Sequence, residues 1–248
     1  MAALAPAPVL PATREPSIHG YRYTGAVDQT PAATQWHGVP EFLAVLAYGE
    51  LAAYYRLAED AALAPTLEGK AAIARMGAAQ FQHFETLREA LAARGDDVFQ
   101  EMTPFQPVLD MFHTRTTPST WLEALVKFYV GEGLAADFYL EIADGLPPDI
   151  ATVVKEVLSD RSHAQFVVDP VREAVLASPK ERSRLALWAR RLLGEAIAQA
   201  QTVLASREEL ADLLLESSGS LNRIAQLFDE VTERHEERIK ALGLADPA

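Results

Sequence analysis

The chain has 248 residues, enough for one large helical domain, and it is rich in alanine and leucine but sparse in glycine. It contains no cysteine, which excludes disulfides, thiolate metal sites, iron–sulfur clusters and cysteine nucleophiles, and fits a reducing cytoplasm. The formal net charge of -13 disfavours broad attraction to nucleic acid or anionic lipid. With no secretory signal and no run of about 20 uncharged apolar residues, we expect a cytoplasmic protein without a membrane span.

Residues 1–37 are rich in Ala, Pro and Thr, and their apolar residues follow no steady period. Prolines recur through this stretch and break any helix, so it is predicted to be disordered or extended. A four-helix bundle is predicted over residues 38–177. Further helices packed on the bundle are predicted over residues 178–243.

Apolar residues at helical spacing predict a first helix over about 41–62 and a second over about 68–94, ended by Gly95. A connection of about 20 residues follows. Links between neighbouring helices in bundles usually have about 2–8 residues. A connection of this length indicates a crossover along the bundle.

The third helix is predicted to start at Thr117, as N-cap, with Pro118 at its first helical position, and to stop at Gly145. Pro148 opens a fourth helix, which Pro170 is expected to kink or end. These two helices complete the predicted bundle.

Two capping boxes predict helices in the last third of the chain. The first begins at Ser178 with Pro179 next, and the second spans residues 206–209. A hinge around Gly219 precedes a last amphipathic helix over about 221–242.

Each of the first four helices carries polar residues inside its apolar stripe. The set is Glu50, Gln80, His83, Glu132, Asp160 and His163. A buried carboxylate costs several kcal/mol unless a partner compensates it. Residues i and i+3 share a helix face, so Gln80 with His83, and Asp160 with His163, each form a pair on one face. In chain order the four helices therefore carry one polar residue, a pair, one polar residue and a pair. Two-metal bundle sites use this order of carboxylates and carboxylate–histidine pairs.

The levels of these residues along the bundle also agree. Glu50 lies about 12 residues before the end of its helix, and Gln80 about 12 after the start of the next, roughly 18 Å in each case. The same arithmetic relates Glu132 to Asp160. The two halves also echo each other, because Gly49-Glu50 and Gly131-Glu132 are each followed by Ala-Ala and a tyrosine. The sequence therefore predicts a metal centre within the bundle.

Four segments, AYGELAAYYRLAEDA, AAQFQHFETL, YVGEGLAADFYLEIA and VLSDRSHAQFV, resemble the ferritin-like domain similar to tRNA-modifying hydroxylases, in its actinobacterial branch. These enzymes hydroxylate the methylthio-isopentenyl-adenosine base. The resemblance covers about residues 38–243. It implies oxygen activation at a non-haem di-iron centre, an O2-dependent hydroxylase or monooxygenase activity, and an electron-donor protein. It also implies Glu50 and Glu132 as terminal carboxylates.

Gln80 departs from the family pattern, because it stands where a bridging glutamate is expected. Two divalent ions would then face three carboxylates, which weakens the second metal. The sequence therefore leaves open whether the site holds two irons, one metal, another divalent metal or no metal. A ferritin-like protein with a degenerate or single-metal site, acting as a binding or structural module, is the second hypothesis. Mini-ferritin storage is weaker, since the chain is longer than that fold needs.

Several other polar residues are weaker candidates. The candidates for a supplementary ligand or a hydrogen-bond partner of a ligand are Glu156, Glu195, Gln199, Tyr54 and Tyr129. Core packing is the preferred role of the two tyrosines. Histidines without a partner at ligand spacing are expected on the surface, namely His19, His37, His113 and His235.

The expected partner is a small molecule or a modified nucleoside. The basic residues between Lys180 and Arg191 are expected to form a solvated helix face, so only weak, salt-independent tRNA binding is predicted. No membrane partner is expected. The sequence leaves open whether the chain forms a homodimer.

Overall fold

The long helices follow the apolar periodicity closely. A computed structural model describes residues 36–159 and 164–245 of the chain. The α-helices of the first half are α1 (Val39–Asp60), α2 (Leu67–Ala93), α3 (Val98–Met102), α4 (Gln106–Arg115) and α5 (Trp121–Ala143). Those of the second half are α6 (Pro148–Leu158), α7 (Ala164–Ala177), α8 (Pro179–Ser206), α9 (Glu208–Ser218) and α10 (Leu221–Ala241). The all-α class is confirmed.

The bundle is built from two helical hairpins. α1 packs along α2, and α5 packs against α6 and α7, while contacts between α2 and α6 and between α1 and α5 close the set. Its core is formed by fully buried residues such as Phe42, Ile73 and Leu125. These side chains recur on one face of each helix, so their burial follows from the sequence period.

The long connection between α2 and α5 crosses the bundle, as the sequence predicted. It is largely helical, because α3 packs on α1 and α4 packs on both α1 and α8. Phe105, between these two helices, is 1% exposed. The C-terminal helices α8 and α10 both pack on α5, so α5 is covered on several sides.

The predicted start of the third helix is wrong by three residues. α5 begins at Trp121, and Thr120 is its N-cap, accepting a hydrogen bond from the Glu123 amide at 3.3 Å. Within the described ranges Thr117 accepts no capping bond; it lies at the end of α4, where its hydroxyl donates to the carbonyl of Thr114 at 3.0 Å. Pro118 is buried before the helix starts.

The predicted fourth helix is two helices, and Pro170 ends neither of them. α6 stops at Leu158, and Pro170 lies inside α7. Val167 and Val171 on either side of this proline are fully buried. Their packing compensates for the backbone hydrogen bond that proline removes.

Of the first predicted capping box only the N-cap is confirmed, because the Ser178 amide donates to the carbonyl of Ala174 and not to the Glu181 side chain. Ser178 caps α8 by accepting a hydrogen bond from the Glu181 amide at 3.3 Å. The box at residues 206–209 is wrong, because α8 continues through Ser206 and the N-cap of α9 is Arg207. The Ser206 hydroxyl instead donates to the carbonyl of Val203 at 3.0 Å.

The predicted disordered segment 1–37 falls almost entirely outside the described residues, and so do His19, Asp160 and His163. From Trp36 onward the chain forms one compact unit. Of the helices in the described ranges, none has the length and apolar character needed to cross a membrane.

Candidate metal centre

A cavity of about 290 Å³ lies beside the polar residues of the bundle. Its walls come from α1, α5 and α8, with contributions from α2, α4, α6, α9 and α10, and they are mainly apolar. Glu50, Gln80, His83 and Glu132 all line it. The four predicted site residues within the described ranges therefore share one cavity.

Glu50 and His83 form the first polar contact in this cavity. The Oε2 atom of Glu50 on α1 lies 3.3 Å from Nδ1 of His83 on α2. Glu50 is 8% exposed, and burial raises the pKa of its carboxyl, an effect that the contact with His83 opposes. A buried carboxylate beside an imidazole is a donor pair suited to a divalent metal.

Gln80 and Glu132 form the second contact. The Nε2 atom of Gln80 donates to Oε1 of Glu132 at 2.7 Å, which links α2 to α5. Gln80 is 5% exposed and lies one turn before His83 on the same face of α2. An ionised glutamate at this position would have no proton to donate, so the amide orients Glu132 in a way that the expected carboxylate would not.

The predicted pair Asp160 and His163 lies outside the described residues, so its contribution stays a prediction. Within the described ranges, no group of three or more acidic or histidine residues is arranged to hold a metal. Glu50, His83, Gln80 and Glu132 meet as two pairs, and a complete centre would need donors from outside those ranges.

A family described as the ferritin-like domain of actinomycetes has a sequence model that matches residues 34–217. The chain belongs to this ferritin-like family. The match spans α1 to α9 and includes all six predicted ligands. No curated protein matches the chain.

Only some of the supplementary candidates line the cavity of this ferritin-like bundle. Glu156 is exposed on α6, which is against its role as a ligand. Glu195 forms an ion pair with Arg115 at 3.3 Å, whereas Gln199 and Tyr129 line the cavity. Tyr54, expected in the core, is 38% exposed.

A different tyrosine pair supports α1 instead. The hydroxyls of Tyr48 and Tyr55 both donate to Oδ1 of Asp110 on α4, at 2.9 and 2.7 Å. These bonds tie the crossover helix to α1, which carries Glu50. Tyr139 lines the cavity near Glu50, and burial together with the negative charge of Glu50 raises the pKa of its phenol.

The expectation that the unpaired histidines lie on the surface holds for His37 only, among those described. His235 on α10 is 1% exposed, and burial lowers the pKa of its imidazole. His113 on α4 lines the cavity, and burial lowers its pKa to about 3. The surface predictions for His113 and His235 are wrong for the same reason, because helices distant in sequence cover α4 and α10.

A buried ion pair joins α10 to α5. Arg238, 8% exposed, pairs with Asp137, 7% exposed, and its Nη2 donates to the carbonyl of Gly133 at 2.9 Å. The Arg238 side chain passes so close to Gly133 that a Cβ at that position would overlap its Nε. Sequence reasoning missed this pair, although a glycine one residue after Glu132 was a signal of close approach.

The basic stretch from Lys180 to Arg191 is partly neutralised by acidic partners. Arg184 forms ion pairs with Glu123 at 3.1 Å and with Glu181 at 2.8 Å. Arg191 donates to the backbone carbonyl of Arg115 at 2.6 Å. These arginines therefore serve packing between helices as well as the predicted helix surface.

Proposed function

We propose that the bundle holds a carboxylate–histidine metal centre and uses it for O2-dependent hydroxylation of a small organic substrate. The observation that carries this proposal is the contact between buried Glu50 and His83 at the wall of a mainly apolar cavity. A carboxylate placed there without a metal or other cation carries a desolvation cost. Membership of a ferritin-like family adds support.

The donor set fits iron better at one end than at the other. Glu50 and His83 supply an anionic oxygen and an imidazole nitrogen, which suit a divalent iron. At the other end, Gln80 offers its amide N–H to Glu132, so one carboxylate oxygen is already engaged by a neutral group. Asp160 and His163 would complete the set, giving three carboxylates and two histidines.

Iron in such a centre supplies dioxygen activation when it is bound. The residues of the chain perform the remaining tasks. The apolar walls bind the substrate and exclude water from the polar residues. The hydrogen bond from Gln80 orients Glu132, and His83 holds Glu50 in its buried position.

The nature of the substrate is a further part of the proposal. A modified nucleoside is one class, suggested by the resemblance to tRNA-modifying hydroxylases. A cavity of about 290 Å³ is at the lower end of the size range of small-molecule sites, so the reacting part of the substrate would be small.

The test is anaerobic reconstitution with Fe(II), removal of unbound metal, and measurement of iron per chain, followed by exposure to oxygen. The proposal predicts about two irons per chain and an absorption change that depends on oxygen. His83→Ala should lose most of the iron. Wild-type protein that retains no iron would contradict the proposal.

A second candidate, a single-metal or non-oxidising module, is favoured by one observation, the Gln80–Glu132 hydrogen bond. Gln80→Glu restores the fourth carboxylate, and Gln82→Glu is a matched control because Gln82 is exposed on the same helix. If the wild-type chain binds about one iron and Gln80→Glu alone raises the count towards two, the second candidate is correct. If the wild-type count is already two and unchanged by either variant, the first is.

A further inference from the structure

A second polar region lies in the same cavity, away from the candidate metal centre. Lys127 on α5 and Asp60 at the end of α1 both line the cavity, as does His113 on α4. Lys127 lies five residues before Glu132, which is about 7.5 Å along the helix axis. The cavity therefore extends from the carboxylate–histidine residues to a separate polar end.

Lys127 is buried without a close partner among the described residues. The residue is only 8% exposed, yet no carboxylate in the described ranges lies within 4.0 Å of its ammonium group. Asp60 is near enough for its charge to act on Lys127, but it also makes no hydrogen bond or ion pair within these ranges. Burial lowers the pKa of Lys127 to about 8 and raises the pKa of Asp60.

Buried ionic groups normally pair directly, because an unpaired charge in an apolar site is costly. A donor and an acceptor held apart in a cavity match a ligand group that carries both an acceptor and a donor. Such a group would accept from Lys127 and donate to Asp60. Hydroxyl and carboxamide groups have this character.

The charges at the Lys127–Asp60 end of the cavity favour a neutral ligand group. Arg56 is neutralised by Glu59 at 2.9 Å, and Lys127 is balanced by Asp60. The remaining carboxylate nearby among the described residues, Asp110, accepts from the hydroxyls of Tyr48 and Tyr55 and does not line the cavity. His113 is uncharged at neutral pH, because burial lowers its pKa to about 3. A carboxylate or an ammonium group would therefore leave an uncompensated charge in an apolar cavity.

We propose that Lys127 and Asp60 bind the neutral polar head of a small amphipathic molecule whose apolar body lies along the cavity towards Glu132. The head would be a carboxamide or hydroxyl group, and the body would contact apolar walls such as Leu57 and Phe128. That this molecule is the substrate rests on the proposed function. Its binding does not, since neither Lys127 nor Asp60 is a candidate ligand.

The test compares probes that share one chain and differ in the head. Octanamide, octanoate and octylammonium are titrated into the full chain by calorimetry, with acetamide as a probe lacking the body. Octanamide should bind most tightly, and acetamide much more weakly. Tighter binding of octanoate or octylammonium than of octanamide, or no binding of octanamide, would overturn the proposal.

Variants then assign the binding to these two residues. Lys127→Met should weaken octanamide binding by about tenfold or more, since a hydrogen bond to a charged group is lost. Asp60→Asn should leave the head site positive and improve octanoate binding relative to octanamide. The exposed pair Lys155 and Asp144, 2.6 Å apart, supplies the controls Lys155→Met and Asp144→Asn, which should change neither.

Iron per chain is measured on the same samples. Probe binding that needs Lys127 in protein without iron would support the head site and contradict the proposed metal function alone. Iron retained in Lys127→Met, with octanamide binding unchanged from wild type, would overturn the head site alone. Circular dichroism confirms that each variant is folded before it is compared.

Discussion

Gly133 is the position where the structure makes its sharpest stability prediction. A Cβ at this residue would overlap Nε of Arg238 and would lie 2.6 Å from its Cδ and 2.7 Å from its Cζ. These atoms belong to a buried side chain held by Asp137 and by the carbonyl of Gly133 itself. Gly133→Ala must therefore displace the Arg238 side chain, and we expect this displacement to break its buried ion pair with Asp137.

The expected magnitude follows from two opposing effects. Breaking a buried ion pair costs about 3–5 kcal/mol. Replacing glycine by alanine inside a helix gains about 1 kcal/mol. Gly133→Ala should therefore lower the free energy of unfolding by about 2–4 kcal/mol, measured by urea denaturation.

Gly131→Ala is the matched control, because a Cβ at Gly131 would meet nothing within 4 Å. This variant should be unchanged or more stable by up to about 1 kcal/mol. Combining Gly133→Ala with Arg238→Met removes the obstructing group, so in that background alanine should no longer destabilise. A Gly133→Ala protein as stable as wild type would refute the close approach of Arg238.

Further expectations concern a helix cap and a buried lysine. Ser178→Ala should lower the free energy of unfolding by about 1 kcal/mol because it removes the N-cap of α8. Ser206→Ala should change the free energy of unfolding by less than about 0.5 kcal/mol. Equal effects of the two substitutions in urea denaturation would contradict the assignment of Ser178, and not Ser206, as an N-cap. Lys127 has a pKa lowered to about 8, so below that pH the folded chain carries a buried charge that the unfolded chain exposes at no cost. Wild-type stability relative to Lys127→Met should therefore rise as pH increases from about 8 to 10, where the unfolded chain binds more protons; a flat or falling difference would contradict the burial of Lys127.

The main helices were predictable because their apolar periods are long and their breakers are clear. α1 begins at Val39 and α2 ends at Ala93, within two residues of the sequence-based bounds. Gly95 adopts a φ of 89° directly after α2, as its predicted role requires. Local signals of this kind do not depend on the packing of distant segments.

The start of α5 was not predictable from local signals. Thr117 and Thr120 both precede apolar residues, and either can cap a helix. The structure places Thr117 at the end of α4, where its hydroxyl donates to the carbonyls of His113 and Thr114. Sequence reasoning did not predict that α4 extends to Arg115, which leaves Thr117 in the link before α5.

The polar residues of the site also divide into those that local sequence signals predict and those that depend on the packing of distant segments. Helix period and height along the bundle predict that four polar residues face one another, and the structure brings them together as two pairs, Glu50 with His83 and Gln80 with Glu132. Lys127 was missed because a lysine in a helix resembles a surface residue in sequence. Its burial depends on α4 and the end of α1, which meet it only through tertiary packing.

The most direct test of the central claim is the iron content of the chain after reconstitution with Fe(II), compared between wild type and Glu50→Gln. The substitution preserves the size of a buried side chain while removing the charge that we propose binds the metal. We expect at least one tightly held iron per wild-type chain and its loss in Glu50→Gln, with the fold intact. Wild-type protein without iron, or a variant that retains as much iron as wild type, would contradict the account.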